Sequence, residues 1–401
     1  MTLTLLLDLD DTLLDSNMDN FIPVYFQALG KAMAAHVDPQ LLLKYLMLGS
    51  QAMEAHDSPT ETLEAVFSKN FYPYLGVERD ILDPEIDRFY AEIFPTLSYL
   101  TKPRPEAVEF VQWAVARGYR IVIATNPLFP QVAVTHRLRW AGLAPEDYPF
   151  EVISSFEQFH FCKPNPAYLA EILGLLGFPD DPVLMVGDDP VRDVQAAEGL
   201  GIPMYWIAAA DAELPEGSNP VMGQGSIGEL RAWLEARDES DFTAQYQART
   251  AVVATMKSIP AILRSLVADL PDERWCDRPD AEEWCLNEIL AHLRDVEREV
   301  NLPRLQTFLN EENPFITADD TDLWVSEREY SAQDGRTALK EFIAARMETL
   351  NVLAGLNEAD WQRAARHAIF GPITLEEQLG FVAEHDRVHI RQLYAILDDA
   401  K

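Results

Sequence analysis

Two carboxylates near the start of the chain stand where a buried strand is predicted to end. The apolar run over residues 4–7 predicts a strand that is buried on both faces, and Asp8 and Asp10 follow it directly. Side chains two residues apart on an extended backbone leave it on the same side, so both carboxylates can face one ligand. One carboxylate can then attack an electrophile while its neighbour moves a proton, provided that a cation offsets their charge.

Polar residues recur at three later points of the chain, beside predicted strands or helix starts. Thr125 and Asn126 end a predicted strand, and Lys163 stands in Lys163-Pro164-Asn165-Pro166, just before a predicted helix. An ammonium group at that place would offset the repulsion between a carboxylate nucleophile and an anionic substrate. The last segment, Gly187-Asp188-Asp189-Pro190-Val191-Arg192-Asp193, again places a glycine and carboxylates after a predicted strand.

Together and in this order, the four segments resemble the motifs of the haloacid dehalogenase-like (HAD) phosphohydrolases. Asp8-Leu9-Asp10-Asp11-Thr12 is similar to motif I, D-x-D-x-T. Thr125 matches the hydroxyl residue of motif II, Lys163 the lysine of motif III, and Asp188 with Asp193 the carboxylates of motif IV, G-D-x-x-x-x-D. Arg192 replaces the more usual Asn, a change that we expect not to abolish activity. The resemblance covers residues 1 to about 237.

The resemblance implies a role for each matching residue. Asp8 is implied to be the nucleophile that forms an aspartyl-phosphate, and Asp10 to be the general acid and base. Thr125, Asn126 and Lys163 are implied to bind the substrate's phosphoryl oxygens. The implied Mg²⁺ site comprises Asp8, Asp10 through its backbone carbonyl, Asp188, Asp189 and Asp193, with Asp193 orienting Lys163 or a metal-bound water.

The stretch between the first and second motifs predicts helices only. Apolar residues recur there at helical spacing, as in Phe21, Val24, Tyr25, Ala28 and Leu29. An all-helical insertion at this place, over about residues 17–99, resembles the C1 cap of HAD enzymes, which implies a lid that selects the substrate. The alternation of strands and helices around it predicts a doubly wound parallel sheet, so residues 1–238 are predicted to form an α/β HAD domain.

The composition disfavours several classes of function. The 401 residues include 66 acids and 32 bases, a formal charge of −34, which disfavours binding to nucleic acid or anionic lipid. Because no run approaches about 18 apolar residues and no basic segment precedes the first apolar run, we expect neither a membrane span nor a signal peptide. Three cysteines without close pairs argue against disulfides and indicate a reducing, cytoplasmic location.

The second half, residues 239–401, is predicted to be an all-α domain. Residues 213–225 predict a loop, residues 227–236 a closing helix of the first domain, and residues 237–241 a charged junction between the domains. Four amphipathic segments follow without any strand pattern, at 243–270 (with a second piece beginning at Pro260), 284–310 (bent at Pro303), 336–355 and 375–398. Short connections between long amphipathic helices predict a four-helix bundle.

Three histidines of this bundle are spaced so that they could bind one cation. His385 and His389 stand four apart on one predicted helix and share a face, and His292 lies on another helix. The segments around Trp284–His292 and His385–Leu393 resemble the DinB/YfiT-like superfamily, four-helix metalloproteins with three helix-borne histidines, although Cys285 replaces the usual Ser. The resemblance implies that His292, His385 and His389 bind Zn²⁺ or Ni²⁺.

The sequence therefore supports two hypotheses of function. The first is a Mg²⁺-dependent phosphatase that attacks a small phosphorylated metabolite with Asp8, although a phosphomutase would use the same residues. The alternative is a metal-dependent thiol transferase or hydrolase, or a ligand-binding sensor, centred on the bundle with the HAD domain subordinate. A homodimer formed through the bundle is compatible with the sequence but has no direct support in it.

Overall fold

The computed structural model describes residues 2–216, 218, 221–278, 280 and 283–398. The chain forms two compact units, Met1–Ile172 with Asp180–Tyr246, and Leu173–Pro179 with Gln247–Lys401. The boundary predicted from the charged junction, after residue 238, lies shortly before the second unit's main segment.

The first unit is built on a six-stranded parallel sheet. Eight strands are described in this unit: β1 (Thr4–Leu7), β2 (Leu14–Asp15), β3 (Lys102–Pro103), β4 (Arg120–Ile123), β5 (Phe150–Ile153), β6 (Val183–Gly187), β7 (Met204–Ile207) and β8 (Gly223–Gly225). Six of them form the sheet in the order β5-β4-β1-β6-β7-β8, and each neighbouring pair is parallel. The reversal of strand order beside β1 is where open α/β sheets bind their ligands, at the carboxyl ends of the strands.

Among the described residues, nine α-helices accompany these strands: α1 (Met18–Met33), α2 (Pro39–Glu54), α3 (Leu63–Phe71), α4 (Arg79–Arg88), α5 (Pro105–Ala116), α6 (Gln131–Trp140), α7 (Pro166–Leu175), α8 (Gln195–Leu200) and α9 (Ile227–Glu235). On one face of β1, Leu5 and Leu7 join a core cluster with Phe110 of α5 and Leu230 of α9. Leu6, which points to the opposite face, is also fully buried. A strand that is buried on both faces explains the uninterrupted apolar run and confirms the predicted doubly wound α/β core.

The segment between β2 and β3 forms a helical cap, which we define as residues 18–100. It contains α1–α4 and ends in a π-helical turn, Phe89–Ile93, and a 3₁₀ segment, Phe94–Leu100, and its described residues include no strand. Its apolar residues form their own cluster, which includes Phe21, Tyr25 and Phe94. The antiparallel pair β2–β3 brings both ends of the cap together, with Leu14 opposite Pro103. The predicted all-helical cap is confirmed.

The second unit is a bundle of four long helical segments. Its helices are α10 (Arg249–Val267), α11 (Leu286–Val296), α12 (Leu302–Asn310), α13 (Trp324–Glu327), α14 (Gly335–Ala354), α15 (Glu358–Trp361) and α16 (Leu375–Asp398). A π-helical turn, Glu297–Asn301, joins α11 to α12 just before Pro303. Helix α11 packs on α14, and α10 packs on α16. This packing confirms the predicted four-helix bundle.

Two predictions for the second unit are wrong in detail. Strands are present after residue 242: β9 (Phe315–Ile316), β10 (Ala364–His367) and β11 (Gly371–Thr374) form a small sheet in the order β11-β10-β9. Pro260 does not begin a new helix, because α10 runs through it without a break. The carbonyl of Met256, which a proline four residues later cannot satisfy, accepts instead from Arg346 Nη1 at 3.2 Å.

The first unit also contains a strand where a loop is predicted. The loop predicted over 213–225 includes residues 217, 219 and 220, which lie outside the described residues, and its last three residues form β8. Strand β8 pairs in parallel with β7, with Tyr205 opposite Gly223. A three-residue edge strand with two glycines shows no hydrophobic alternation in the sequence. It is recognisable as a strand only by its pairing with β7.

Within the described part of the chain, α10 alone is long and apolar enough to cross a membrane, judged by length and composition. In the structure, 67% of its most apolar window is buried, and residues such as Met256 and Ile259 are fully inaccessible. Its apolar composition is therefore accounted for by packing inside the bundle.

Candidate functional site

The turn after β1 presents Asp8 and Asp10 at the carboxyl edge of the sheet. Asp11 adopts a left-handed conformation with φ of 59°, which reverses the chain directly after Asp10. Its carboxylate Oδ1 then accepts hydrogen bonds from the backbone N–H groups of Ser16 at 3.0 Å and Asn17 at 2.9 Å. An aspartate tolerates this conformation because its short side chain can bond to the nearby backbone. The turn is thereby fixed around the two candidate catalytic carboxylates.

Lys163 is held between two carboxylates in a nearly inaccessible position. Its Nζ donates to Asp8 Oδ1 at 2.7 Å and to Asp193 Oδ1 at 2.6 Å. Burial alone lowers the pKa of Lys163, but the charges of Asp193 and Asp8 outweigh it and hold this pKa above its usual value. The lysine therefore remains an ammonium ion beside the candidate nucleophile.

The loop after β6 places Asp188 and Asp193 close to Asp8. The three carboxylates offer oxygens that lie within 4.8 Å of one another. Asp193 Oδ2 also accepts from the backbone N–H of Asp189 at 3.0 Å. A Cβ at Gly187 would collide with the carboxylate of Asp193, so the glycine that precedes Asp188 is needed for this close approach.

Thr125 and Asn126 lie at the end of β4, next to the same cleft. The backbone carbonyl of Thr125 accepts from Ser154 Oγ and from the hydroxyl of Tyr168, both at 2.7 Å. Asn126 Oδ1 accepts from the backbone N–H of Lys163 at 3.1 Å. The residues of the second and third motifs are thus bonded to one another, and the cleft is lined by Asp8, Asp10, Thr125, Asn126, Lys163, Asp188 and Asp193 among others.

Asp189 lines the same cleft, and its carboxylate also makes contacts that stabilise the loop after β6. Its Oδ1 accepts from the backbone N–H groups of Val191 at 2.8 Å and Arg192 at 2.9 Å, which caps the helical turn Pro190–Val194. Its carboxylate is not part of the group formed by Asp8, Asp188 and Asp193 among the described residues. Asp189 therefore supports the loop, and its implied metal role stays a prediction, as do the metal roles of Asp8 and Asp188.

Asp10 has two partners, one of which the motifs do not include. Ser16 Oγ donates to Asp10 Oδ1 at 2.7 Å, and the guanidinium of Arg137 on α6 pairs with Asp10 Oδ2. The Arg137 side chain is only 1% exposed, and its guanidinium lies 4.4 Å from the ring centre of Phe129. Arg137 shares one face of α6 with the apolar residues Val134 and Leu138, and this pattern is visible in the sequence. Because a buried arginine needs an anionic partner, the pattern could have indicated a contact with a carboxylate.

The charges of this cleft suit a hard divalent cation. Burial raises the pKa of Asp8 well above its ordinary value, and the neighbouring Asp193 and Asp188 raise it further, although Lys163 opposes them. Burial, followed by the charge of Asp193, raises the pKa of Asp188 to about 7. A cation among these oxygens would favour their ionised forms, and carboxylate oxygens with room for water are what Mg²⁺ prefers.

In the second unit, three histidines converge at a point between α11 and α16. His385 Nε2 lies 3.2 Å from His292 Nε2 and 3.1 Å from His389 Nε2. His389 Nδ1 lies 2.7 Å from Gln392 Oε1, an arrangement in which Nδ1–H donates and leaves the Nε2 lone pair facing the other two rings. The ring of Trp284 stacks on His389 with an interplanar angle of 13°.

The surroundings of this histidine cluster favour neutral imidazoles. Burial and the neighbouring histidines lower the pKa of His292 to about 2 and that of His389 to about 3, and burial with the charge of Arg346 lowers that of His385 to about 4. Three neutral imidazoles whose Nε2 atoms lie close together suit a borderline cation such as Zn²⁺ or Ni²⁺. A ligand set of three leaves a coordination position open.

A buried ion-pair network adjoins the histidine cluster and was not found from the sequence. Arg346 of α14 donates to Glu297 at 2.9 and 2.8 Å and to Asp386 at 2.5 and 3.1 Å. All three side chains are at most 1% exposed, and Asp386 directly follows His385 on α16. Glu297 stands five positions after His292 and Asp386 one after His385, whereas Arg346 has no histidine nearby in the sequence. Charged residues at such positions are ordinary on helix surfaces, so only the tertiary fold distinguishes these three from solvated ones.

Comparison with known proteins assigns the two units separately. Residues 2–201 match the family model of the haloacid dehalogenase-like hydrolases, and residues 256–393 match that of the DinB superfamily. The chain therefore joins a haloacid dehalogenase-like hydrolase to a DinB-superfamily domain.

Individual relatives match one half or the other. The uncharacterized protein YuaE of Bacillus subtilis is 26% identical over 141 residues, which cover 32% of this chain and 85% of YuaE. The pyrimidine 5′-nucleotidase YjjG of Escherichia coli is 32% identical over 139 residues, 34% of this chain and 59% of YjjG. The crystal structure of a HAD phosphatase from Thermococcus onnurineus aligns with a TM-score of 0.38 at 21% identity, covering 58% of this chain and 98% of that one.

Proposed function

We propose that the first unit is a Mg²⁺-dependent phosphatase that hydrolyses a small phosphate monoester through an aspartyl-phosphate on Asp8. The observation that carries this proposal is the contact of Lys163 Nζ with Asp8 Oδ1 at 2.7 Å, in a cleft that also contains Asp10, Thr125 and Asp188. A carboxylate beside a fixed ammonium can receive an anionic phosphoryl group without prohibitive repulsion. YjjG, a nucleotidase, is among the relatives of this half, which supports a phosphate ester as substrate.

In the first step, an oxygen of Asp8 attacks phosphorus while the bond between phosphorus and the ester oxygen breaks. Asp10, protonated at the start, gives its proton to the leaving alkoxide, so an alcohol departs and Asp8 carries the phosphoryl group. The Lys163 ammonium and the Thr125 hydroxyl hold the phosphoryl oxygens. Ser16 and Arg137 orient the Asp10 carboxyl toward the leaving oxygen.

In the second step, Asp10 acts as a base. Its carboxylate takes a proton from a water molecule whose oxygen attacks phosphorus, and the bond between phosphorus and Asp8 breaks. Inorganic phosphate leaves, Asp8 is again a carboxylate, and Asp10 is again protonated for the next turnover. The two steps use one proton carrier in opposite directions, which a carboxyl group with a fixed position can do.

Asp8, Asp188 and the backbone carbonyl of Asp10 are the groups that would hold Mg²⁺, and Asp193 would support them from beside Lys163. Bound there, Mg²⁺ would supply positive charge that offsets the carboxylates and the phosphoryl group. The carboxylate of Asp193, fixed by Lys163 and the Asp189 N–H, keeps the ammonium aligned with Asp8.

Phosphate release from small phosphate esters in the presence of Mg²⁺ tests this proposal. We expect Asp8→Asn to lower kcat by at least about 10³-fold, because an amide is no nucleophile at phosphorus. Asp147→Asn, a change of the same chemistry at an exposed loop residue, is the matched control and should retain the parent rate. Equal rates for parent and Asp8→Asn would contradict the proposal, and a phosphorylated product without free phosphate would indicate a mutase instead.

For the second unit we propose a site for one Zn²⁺ or Ni²⁺ ion held by His292, His385 and His389. The proposal is supported by His385 Nε2, which lies 3.2 Å from His292 Nε2 and 3.1 Å from His389 Nε2. The open coordination position would allow the ion to activate water or a thiol, as a hydrolase or a thiol transferase requires, or to bind a ligand.

The metal content of purified protein tests the bundle site. We expect about one ion per chain in the parent and a large loss in His292→Ala, because two imidazoles rarely hold such an ion on their own. His36→Ala, which removes an exposed histidine of the cap, is the control and should retain the ion. The same metal content in His292→Ala and the parent would refute the site.

A further inference from the structure

The cap contains a large cavity next to the catalytic cleft. It has a volume of about 700 Å³, within the range of about 300–1,000 Å³ that is typical of small-molecule sites. Met18, Leu128 and Phe129 line both this cap cavity and the cleft that holds Asp8. An ester whose phosphoryl group lies at Asp8 would therefore extend its alcohol portion into the cap cavity.

Eight aromatic residues contribute to the wall of the cap cavity, beside aliphatic ones. Tyr25 and Phe129 lie with ring centres 5.6 Å apart, and Phe67 lies 4.8 Å from Phe71 and 6.1 Å from Phe156. The hydroxyl of Tyr25 is already bonded to that of Tyr90 at 2.8 Å. The wall consequently offers ring faces and edges, which bind flat apolar groups well.

The charged groups of the cap cavity are predominantly acidic. Two guanidiniums, of Arg79 and Arg192, stand against six carboxylates among the described lining residues: Asp19, Glu54, Glu64, Asp83, Asp87 and Glu157. Each guanidinium already has a carboxylate partner, since Arg79 Nε donates to Asp83 at 2.8 Å and Arg192 Nη2 to Glu54 at 3.3 Å. A carboxylate on the ligand would face this acidic surplus and would have to displace a partner from an arginine.

We propose that the alcohol portion of the substrate is a flat aromatic group without negative charge, bound in the cap cavity. The inference rests on the proposed phosphatase function, because the phosphoryl group fixes which end of the ester enters the cleft. Apolar contact with the rings favours such a group, and the carboxylate surplus disfavours esters of hydroxy acids.

A matched pair of esters tests the preference. 2-Naphthyl phosphate and 6-carboxy-2-naphthyl phosphate have the same ring and reacting oxygen and differ in one carboxylate. We expect kcat/KM to be about tenfold or more higher for the uncharged ester. Equal values, or a preference for the carboxylated ester, would overturn the inference.

A larger side chain inside the cap cavity should lower kcat/KM for the aromatic ester only. Ser50 lines the cavity, whereas Gln51, its neighbour on α2, is exposed to solvent. Relative to acetyl phosphate, whose leaving group is too small to reach the cavity, we expect Ser50→Phe to lower kcat/KM for 2-naphthyl phosphate about tenfold. Gln51→Phe should leave this ratio unchanged, and an unchanged ratio in Ser50→Phe would contradict the proposed site.

Failure of the phosphatase proposal can be distinguished from failure of this inference. If the parent hydrolyses acetyl phosphate but does not prefer the uncharged ester, the inference alone fails. If no ester is hydrolysed, calorimetric titration of the parent with 2-naphthol tests whether the cap cavity binds an aromatic group. Binding that Ser50→Phe weakens about tenfold and Gln51→Phe does not would support the cavity as an aromatic site, and no binding would overturn it.

Discussion

At the scale of single residues, the site depends on groups that the four motifs do not contain. Arg137 is almost fully buried, and in the described structure its Nε and Nη2 atoms have no hydrogen-bond partner, so its contact with Asp10 is its main polar interaction. Burial of a guanidinium lowers the stability of the fold unless the guanidinium pairs with an anion, and the anion here is Asp10, the proposed general acid. We interpret Arg137 as a positioning residue that fixes the direction of the Asp10 carboxyl.

Arg137→Met tests this interpretation. Because Asp10 would lose its orientation, we expect kcat for an alkyl or aryl phosphate, whose leaving group must be protonated, to fall by about 10²-fold. Hydrolysis of acetyl phosphate, whose leaving group needs little protonation, should fall much less. Steady-state kinetics with both substrates measure the difference.

Arg139→Met provides the control, since Arg139 lies on the same helix but is exposed and pairs with Glu146 at the surface. It should behave as the parent does. An equal loss of both activities in Arg137→Met would mean that the arginine only supports the fold.

The residues that the sequence predicted well are those at strand ends. A parallel strand fixes where its last side chain points, so Asp8, Thr125 and Asp188 could be placed at one edge from hydrophobic runs alone. The contact of Arg137 with Asp10 could not be predicted in this way, because Arg137 lies on a helix whose rotation about its own axis is set by packing. Adjacent carboxylates look equivalent in a sequence, so the capping contacts of Asp189 became apparent only from the loop geometry.

At the scale of elements, long elements were predicted and short ones were not. Helix α16 matches the predicted range of 375–398, because it carries several turns of periodic burial. Strands β8 and β9 have three and two residues, too few for an alternating pattern to be visible. Helix α10 continues through Pro260 because a side chain from another helix, Arg346, bonds the carbonyl that proline leaves open, a tertiary contact invisible to local reasoning.

The same arginine links three elements of the bundle, which gives an element-scale prediction. Arg346→Met leaves Glu297 and Asp386 buried without their cation, so we expect the free energy of unfolding of the bundle to fall by about 3–5 kcal/mol. Chemical denaturation followed by tryptophan fluorescence measures this change.

Arg298→Met is the matched control, because Arg298 is 54% exposed and contacts only Glu341, at 3.4 Å, among its described ion pairs. Its effect should stay within about 0.5–1 kcal/mol. A loss in Arg346→Met as small as this would show that the network is dispensable for stability.

At the scale of the whole molecule, the excess of 66 acids over 32 bases shapes how an anionic substrate approaches. A formal charge of −34 repels phosphate esters at a distance, whereas Lys163 attracts them only inside the cleft. The composition alone predicts this electrostatic repulsion, without any knowledge of the fold. The motifs predicted a cap, but the residues that the cap cavity shares with the cleft became apparent only in the structure.

Salt should therefore accelerate capture of the substrate. With Mg²⁺ kept saturating, we expect kcat/KM for a phosphate ester to rise severalfold between about 20 and 200 mM KCl, because screening weakens the repulsion. The value of kcat, measured at saturating ester, should stay constant, since screening acts on the encounter. A fall of kcat/KM with salt would indicate that local cations dominate the approach.

The central claim is that Asp8 becomes covalently phosphorylated during turnover. Rapid acid quenching of the parent protein during hydrolysis of a phosphate ester, followed by mass spectrometry of the N-terminal peptide, tests it most directly. We expect one phosphoryl group on Asp8 in the parent and none in Asp8→Asn under the same conditions. Steady turnover by the parent without any phosphorylated Asp8, or turnover by Asp8→Asn at the parent rate, would contradict it.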